Sequence, residues 1–294
     1  FLFLLVEARL PTRVYVQYAE QAAKIQDLRL DQPVTWFFQV DPLIALASLL
    51  SGHVLVKGIL WAGGLVLLTL FLGRIFCGFV CPFGSLHHLA GQVRSSRKRK
   101  RPAAANQKSP GRRVKYFVLV FVLTACLFGL NPAGIMDPIA LLFRSLALAV
   151  LPAAGTLLRD FFGFLAGSDI QIFRSFRYGA EVLVAPVFGY QAVAYQTAWF
   201  MGLLFLFLLF LNRIRPRFWC RNLCPLGALL ALCSRFPGLT LVKDTEKCTQ
   251  CGRCTLTCQG AAASFWGEEW ERSECLMCFN CVGSCPEGAV SFGF

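Results

Sequence analysis

Two stretches near the C-terminus decide how that part of the chain folds: CTQCGRCTLTC at Cys248–Cys258 and CLMCFNCVGSCP at Cys275–Pro286. Each is C-x2-C-x2-C-x3-C. Thiolates in this pattern suit iron–sulfur clusters, which take soft ligands, and the tight spacing lets one loop wrap three corners of a cube. Zinc is the competing reading, against which a doubled run of Cys with no His counts. A disulfide-rich secreted scaffold is excluded, because such chains are short and polar. This one has 294 residues, 56% of them apolar.

The doubled run is the one used by two-cluster bacterial ferredoxins, in which the fourth Cys of each run binds the other cluster. That arrangement implies Cys248, Cys251, Cys254 and Cys285 around one 4Fe-4S cluster. Cys275, Cys278, Cys281 and Cys258 would hold a second. Residues 240–294 are therefore expected to form a small α+β ferredoxin-like domain on the cytoplasmic side. Gln259 stands where the first run would normally have Pro, a departure expected to alter the turn and not the ligation. Asp244, Glu246, Glu268, Glu269, Glu271, Glu274 and Glu287 read as an acidic surface, suited to a basic redox partner or to the chain's own cations.

Residues 1–239 read as an α-helical membrane domain with an internal pseudo-two-fold repeat. Only 15% of the chain is charged and 28 residues are Phe, whereas a soluble globule is nearer a quarter charged. A crossing helix needs about 20 apolar residues. Spans are expected at 54–73 and 190–211, and at 116–136 if the stretch from Tyr116 runs on through NPAGIM. Residues 1–6 read as the tail of an earlier span. The stretches 42–50 and 139–151 are too short to cross and read as re-entrant or interfacial helices.

The formal charge of +13 is concentrated between Arg94 and Lys115, a segment with many cations and no acid. No nucleic-acid surface is expected from so local a run. It reads as a cytoplasmic loop with affinity for anionic membrane lipid, with a docking site for an acidic partner as the alternative. The chain would then be a multi-pass protein of a bacterial inner membrane, its cysteine motifs on the cytoplasmic side.

The repeat is visible in two places. VDPLIALASLL at Val40–Leu50 matches MDPIALLFRSL at Met136–Leu146, and GRIFCGFVCPFGSL at Gly73–Leu86 matches RPRFWCRNLCPLGAL at Arg215–Leu229. Each half would have an Asp-Pro turn outside, a span, and a Cys pair inside, and repeats of this kind place functional sites at the interface between halves. Cys77 with Cys81 and Cys220 with Cys224 stand at i and i+4, which on a helix is one face. Brought together across the two-fold, they could hold a third 4Fe-4S cluster. A redox-active dithiol relay and structural thiols are the other readings, and a static disulfide is disfavoured in a reducing cytoplasm. Cys126 and Cys233 read as small buried hydrophobes.

His53, Asp41 and Asp137 are candidates for quinone binding and proton handling at the outer face, since an intramembrane carboxylate is costly. Their plainer reading is helix capping. His87 and His88 read as surface residues, with support of the neighbouring cysteine site as the alternative. The insertion at 151–189 has no functional reading.

Taken together, DPLIALASLLSGH, a span, FCGFVCPFGSL, a basic loop, a second CxxxCP and a terminal double ferredoxin run resemble the NapH/MauN polyferredoxin family. The resemblance covers most of the chain and fails in the insertion after Leu151. It implies a quinol dehydrogenase membrane subunit of a larger respiratory complex, passing electrons between quinone and a periplasmic iron–sulfur or cytochrome partner. Because the cysteine sites would face the cytoplasm, a cytoplasmic donor feeding them is the alternative direction. A rival reading is an accessory factor that supplies electrons to assemble a periplasmic metalloenzyme, its CxxxCP thiols cycling between thiol and disulfide. A non-catalytic anchor for other subunits is the third reading, against which the ferredoxin run counts.

Overall fold

The computed structural model describes residues 33–52, 58–95, 110–166, 198–263 and 270–293. Its elements are mostly helical. They fall into two compact units, Phe38–Leu141 with Phe207–Phe294, and Phe1–Phe37 with Leu142–Leu206.

Along the chain, α1 (Pro33–Val40) and α2 (Pro42–Gly52) flank Asp41, and α3 (Ile59–Leu72) ends on Gly73, whose φ of +70° turns the backbone. A π turn at Phe76–Val80 leads into α4 (Pro82–Ser95). Next come α5 (Val114–Leu127), α6 (Ala133–Met136) and α7 (Pro138–Ser145), which passes through a second π turn, Leu146–Val150, into α8 (Leu151–Ala166). α9 (Ala198–Phe210), α10 (Phe218–Asn222) and α11 (Pro225–Cys233) follow. At the C-terminal end β1 (Thr240–Lys243) pairs antiparallel with β2 (Val290–Gly293), Thr240 opposite Gly293. Between them lie α12 (Arg253–Thr257) and α13 (Asn280–Ser284).

Two helix lengths differ from expectation. The helix from Tyr116 does not run on through NPAGIM: Gly129 adopts φ +79° and Pro132 lacks the donor a continuing turn needs. α5 therefore has 14 residues. α3 also has 14, about 21 Å at 1.5 Å per residue. The stretch 139–151, expected to be too short to cross, belongs to a longer helix. Among the described residues Pro138–Leu158, at 21 residues, is the helix long and apolar enough to span a membrane. Pro152 stands inside this helix, and the wide turn before it, closed by Leu151 N–H on Leu146 O, absorbs the proline without breaking the helix. In that unit Gly202 approaches Ala149 so closely that a Cβ would lie 3.3 Å from the alanine methyl. Residues 1–6, 53–57 and 190–197, and hence His53, lie outside the described residues.

The ferredoxin-like segment is built from two copies of one loop. A shift of 27 positions superimposes Cys248 on Cys275 and Cys258 on Cys285, and the backbone obeys the same period. Gln250 and Met277, Gly252 and Phe279, and Ala261 and Gly288 all take left-handed conformations. Such conformations are unfavourable for residues with a Cβ, so matching pairs at one period mark one loop shape kept in both copies by its surroundings.

A buried ion network holds this segment on the helices. Glu274, immediately before Cys275, accepts from Lys115 Nζ at 2.7 Å, from Arg74 Nη2 at 3.1 Å and from Tyr116 Oη at 3.1 Å. Arg112 reaches Glu271 and Glu274. Arg74, Lys115 and Glu274 are all buried, so Glu274 is not part of an acidic surface and Lys115 is not part of a solvated cation run. Burial alone would raise the Glu274 carboxyl, but Arg74 and Lys115 outweigh it and hold it below its ordinary range. Its stabilising contribution is therefore complete above the ordinary glutamate range and is lost as pH falls through its lowered value. Glu274→Gln leaves two buried cations without their counter-charge and is expected to cost about 3–5 kcal/mol, read as a lower unfolding temperature of the purified protein near neutral pH.

Candidate functional site

The loops converge on two sets of four cysteines. One set lines a cavity in the ferredoxin-like segment: Cys258, Cys275, Cys278 and Cys281, walled by Leu276, Met277 and Ala262. Cys258 belongs to the first run, so the structure brings the fourth Cys of one run to the other three of its partner. Burial pushes the Cys275 thiol up to about 11 and Cys281 up to about 12, with the neighbouring sulfurs adding to it. Thiolates there need the positive charge of iron. In the first run Cys254 lies within electrostatic reach of Cys251, Cys251 is exposed, and Cys248 and Cys285 are half-buried on their loops.

The second set is Cys77, Cys81, Cys220 and Cys224. Cys81 and Cys224 are buried, and each lies within electrostatic reach of Cys77 and Cys220. The two pairs do not lie on single helical faces, as i and i+4 spacing suggested. Cys81 and Cys224 leave the helix for extended backbone, with ψ of 113° and 111°. Each precedes a proline, whose ring pushes the residue before it out of the α region. In both copies the departing cysteine N–H closes a wide turn on the residue five back, Cys81 on Phe76 O at 2.8 Å and Cys224 on Trp219 O at 2.9 Å. The sequence held this signal in CP and in the glycine that follows. A Cβ on Gly84 would lie 3.1 Å from Cys77 O, and one on Gly227 3.3 Å from Cys224 Sγ.

An arginine three residues before each pair clamps the opposite copy. Arg74 Nη1 donates to Gly227 O at 2.9 Å, while Arg217 Nη1 donates to Cys77 O at 3.0 Å. Both are buried. Arg217 donates to backbone carbonyls and, among the described residues, meets no carboxylate. A buried guanidinium so placed calls for an anionic occupant of the thiol site. Four thiolates around a cubane supply that charge, so the residues present fit a 4Fe-4S cluster. Among the described residues no three Cys, His, Asp or Glu side chains gather tightly enough to hold a metal ion directly. A cubane binds its thiolates at four separate corners and spreads them further apart.

The two sets adjoin. Gly78, inside the first CxxxCP, lies so close to Leu276, inside the second ferredoxin run, that a Cβ would fall 2.2 Å from its carbonyl oxygen. Arg221, inside the second CxxxCP, donates to Gln259 O at 2.7 Å and Cys258 O at 2.9 Å. Phe79 meets Phe279 with ring centroids 6.0 Å apart.

Asp41 and Asp137 come together, each capping a helix, and Asp137 lies within Coulombic reach of Cys81. They are therefore not a bilayer's thickness from the thiols, as outer turns and inner cysteines had implied. The interposed α3 is shorter than a span. His87 is not a surface residue: it is buried, with Nδ1 2.9 Å from Asn212 Oδ1 and its ring against Phe83. Burial lowers its pKa to about 4, leaving it neutral.

The 4Fe-4S binding domain family matches twice, over residues 55–102 and 196–242, once around each CxxxCP pair, and the 4Fe-4S dicluster domain family matches residues 240–286. An uncharacterized protein of Methanocaldococcus jannaschii is 27% identical over 230 residues, 77% of this chain and 67% of the relative. The ferredoxin-type protein NapH of Escherichia coli is 26% identical, covering 84% and 72%, and the methylamine utilization ferredoxin-type protein MauN of Methylobacillus flagellatus is 29% identical, covering 74% and 60%. The chain is a ferredoxin-type iron–sulfur electron-transfer protein related to NapH and MauN. No solved structure matches it.

Gly78→Ala has no room for its methyl group and must push the CxxxCP turn off the Leu276 loop, at an expected cost of about 1–3 kcal/mol. Gly283→Ala, which meets nothing within 4 Å, is the control. Comparing the unfolding temperatures of the two variants checks it.

Proposed function

We propose that the chain is a membrane-embedded electron wire linking the quinone pool to a redox partner within a larger respiratory assembly. Cys248, Cys251, Cys254 and Cys285 hold the first 4Fe-4S cluster, and Cys275, Cys278, Cys281 and Cys258 the second. Cys77, Cys81, Cys220 and Cys224 hold a third. Bound there, the clusters supply one-electron relays, with potentials that proteins set over roughly −700 to +450 mV. The observation that carries this reading is the junction at Gly78–Leu276 and Arg221–Cys258, where the loops that carry the second and third sets touch directly. The chain's own part is to hold the thiols at fixed backbone turns, to exclude water from Cys81 and Cys224, and to offset negative charge with Arg74 and Arg217.

Membrane embedding is supported by the large apolar side chains left exposed on helices with few charges, among them Leu60 and Phe71 on α3, Phe117 and Phe121 on α5, and Leu203 and Phe207 on α9. So large an apolar surface is foreign to soluble monomers. A cytoplasmic position for the cysteine sites is supported by the convergence of Lys115 and Arg112, from the cation-rich segment, on the ferredoxin-like domain. The quinone end rests on the likeness to NapH and MauN and on Asp41, Asp137 and His53 as polar groups in an apolar domain. Electron flow from quinol to a periplasmic iron–sulfur or cytochrome protein, or from a cytoplasmic donor to quinone, fits the same wire.

Iron and acid-labile sulfide on anaerobically purified protein, with EPR during a redox titration, test the proposal. About 12 irons per chain, for three 4Fe-4S clusters, are expected. Cys77→Ser should then abolish quinone-linked electron transfer and leave the ferredoxin signals intact. About 8 irons, with CxxxCP thiols that cycle to disulfides, would overturn the wire in favour of an accessory role in metalloenzyme assembly.

A further inference from the structure

Asp41 and Asp137 occupy matching positions in the two repeats, and both are fully buried. Each uses one oxygen as a helix cap. Asp41 Oδ1 accepts from Leu43 N at 2.8 Å and Ile44 N at 3.3 Å, and Asp137 Oδ2 accepts from Ile139 N at 2.8 Å and Ala140 N at 2.9 Å. The other two oxygens, Asp41 Oδ2 and Asp137 Oδ1, are buried and receive no donor from the described protein groups. The two carboxyl side chains lie close enough to interact with each other. Ionised carboxylates only accept, so two such oxygens can bond to each other only if a proton lies between them. Two carboxylates sharing one buried site do not both ionise.

We propose that Asp41 and Asp137 form a proton-binding site, holding one proton between Asp41 Oδ2 and Asp137 Oδ1 and taking up a second when an electron occupies the four-cysteine site. The coupling rests on the reading of Cys77, Cys81, Cys220 and Cys224 as a cluster site. The charges acting on the pair are the partner carboxyl, the N-terminal ends of α2 and α7, and Cys81 of the thiol set. An electron arriving from a reduced iron–sulfur donor or from quinol adds one negative charge within Coulombic reach of Asp137. In this buried setting solvent screens it little. A proton from water, or from the same quinol, restores the charge, and the pair becomes two neutral carboxyls. Neither capping bond is broken, because both use the other oxygens.

Infrared spectroscopy of the full chain near neutral pH tests the resting proton. A protonated-carboxyl C=O band that shifts in D2O is expected, and it should vanish in Asp41→Asn and in Asp137→Asn. Asparagine still caps a helix, so a purely structural role predicts stable variants and no such band in the parent protein. The coupling is read in the unmodified protein, which removes any dependence on how a variant folds. The midpoint of the four-cysteine signal should fall by about 59 mV per pH unit, a tenfold shift for each proton taken up with one electron. Absence of the band overturns the proton site. A signal that is present but independent of pH overturns the coupling alone. About 8 irons with the band present would overturn the third cluster, and the coupling with it, while upholding the shared proton.

Discussion

The arrangement depends on one buried carboxylate meeting several cations. Glu274 stands beside Cys275, Arg74 stands three residues before Cys77, and Lys115 opens α5. Their ion network joins the loop of one thiol set to the loop of the other. Removing such charges from water costs several kcal/mol per ion and is offset only when geometry and hydrogen bonds are complete. Here Arg74 also donates to Glu274 O and Gly227 O, each at 2.9 Å. A slipped docking would strand charges in an apolar interior, so the network specifies one placement of the ferredoxin-like segment more than it adds net stability.

Arg74 and Arg217 extend the same logic across the repeat. Each sits at the same place in its own copy and reaches the backbone of the other, so neither thiol pair is shaped by its own half alone. Arg217 does this from a left-handed backbone, φ +51°, a conformation disfavoured for a long side chain. Strain of that kind persists where the surroundings fix it, and here the guanidinium is held by Cys77 O and Gly78 O.

Much of this was legible in the sequence, where the signal was local and periodic. The doubled cysteine run implied the crossing of Cys258 to the second set, and the Asp-Pro pairs marked turns and helix caps. What escaped was tertiary. Nothing near Glu274 distinguishes it from the half-buried Glu271, and its burial comes from residues about 160 to 200 positions away. His87 follows a polar-looking stretch, yet α4 turns it inward against Asn212. The i and i+4 spacing of the thiols suggested a helical face, and the proline after each second cysteine, which drives the residue before it out of the helix, overrides that spacing. The stretch 139–151 looked too short because a π turn carries its helix on past Pro152, which the sequence does not show.

The crossing of Cys258 has an evolutionary corollary. In a duplicated domain whose copies each kept their own four ligands, either copy could be lost, lengthened or exchanged while the other went on working. Here the second cavity borrows a wall from the first copy, and the left-handed turns recur at one fixed period in both. The duplication is therefore locked at that wall. A deletion in the first run takes Cys258 from the cavity of the second, and such a module is inherited or discarded whole.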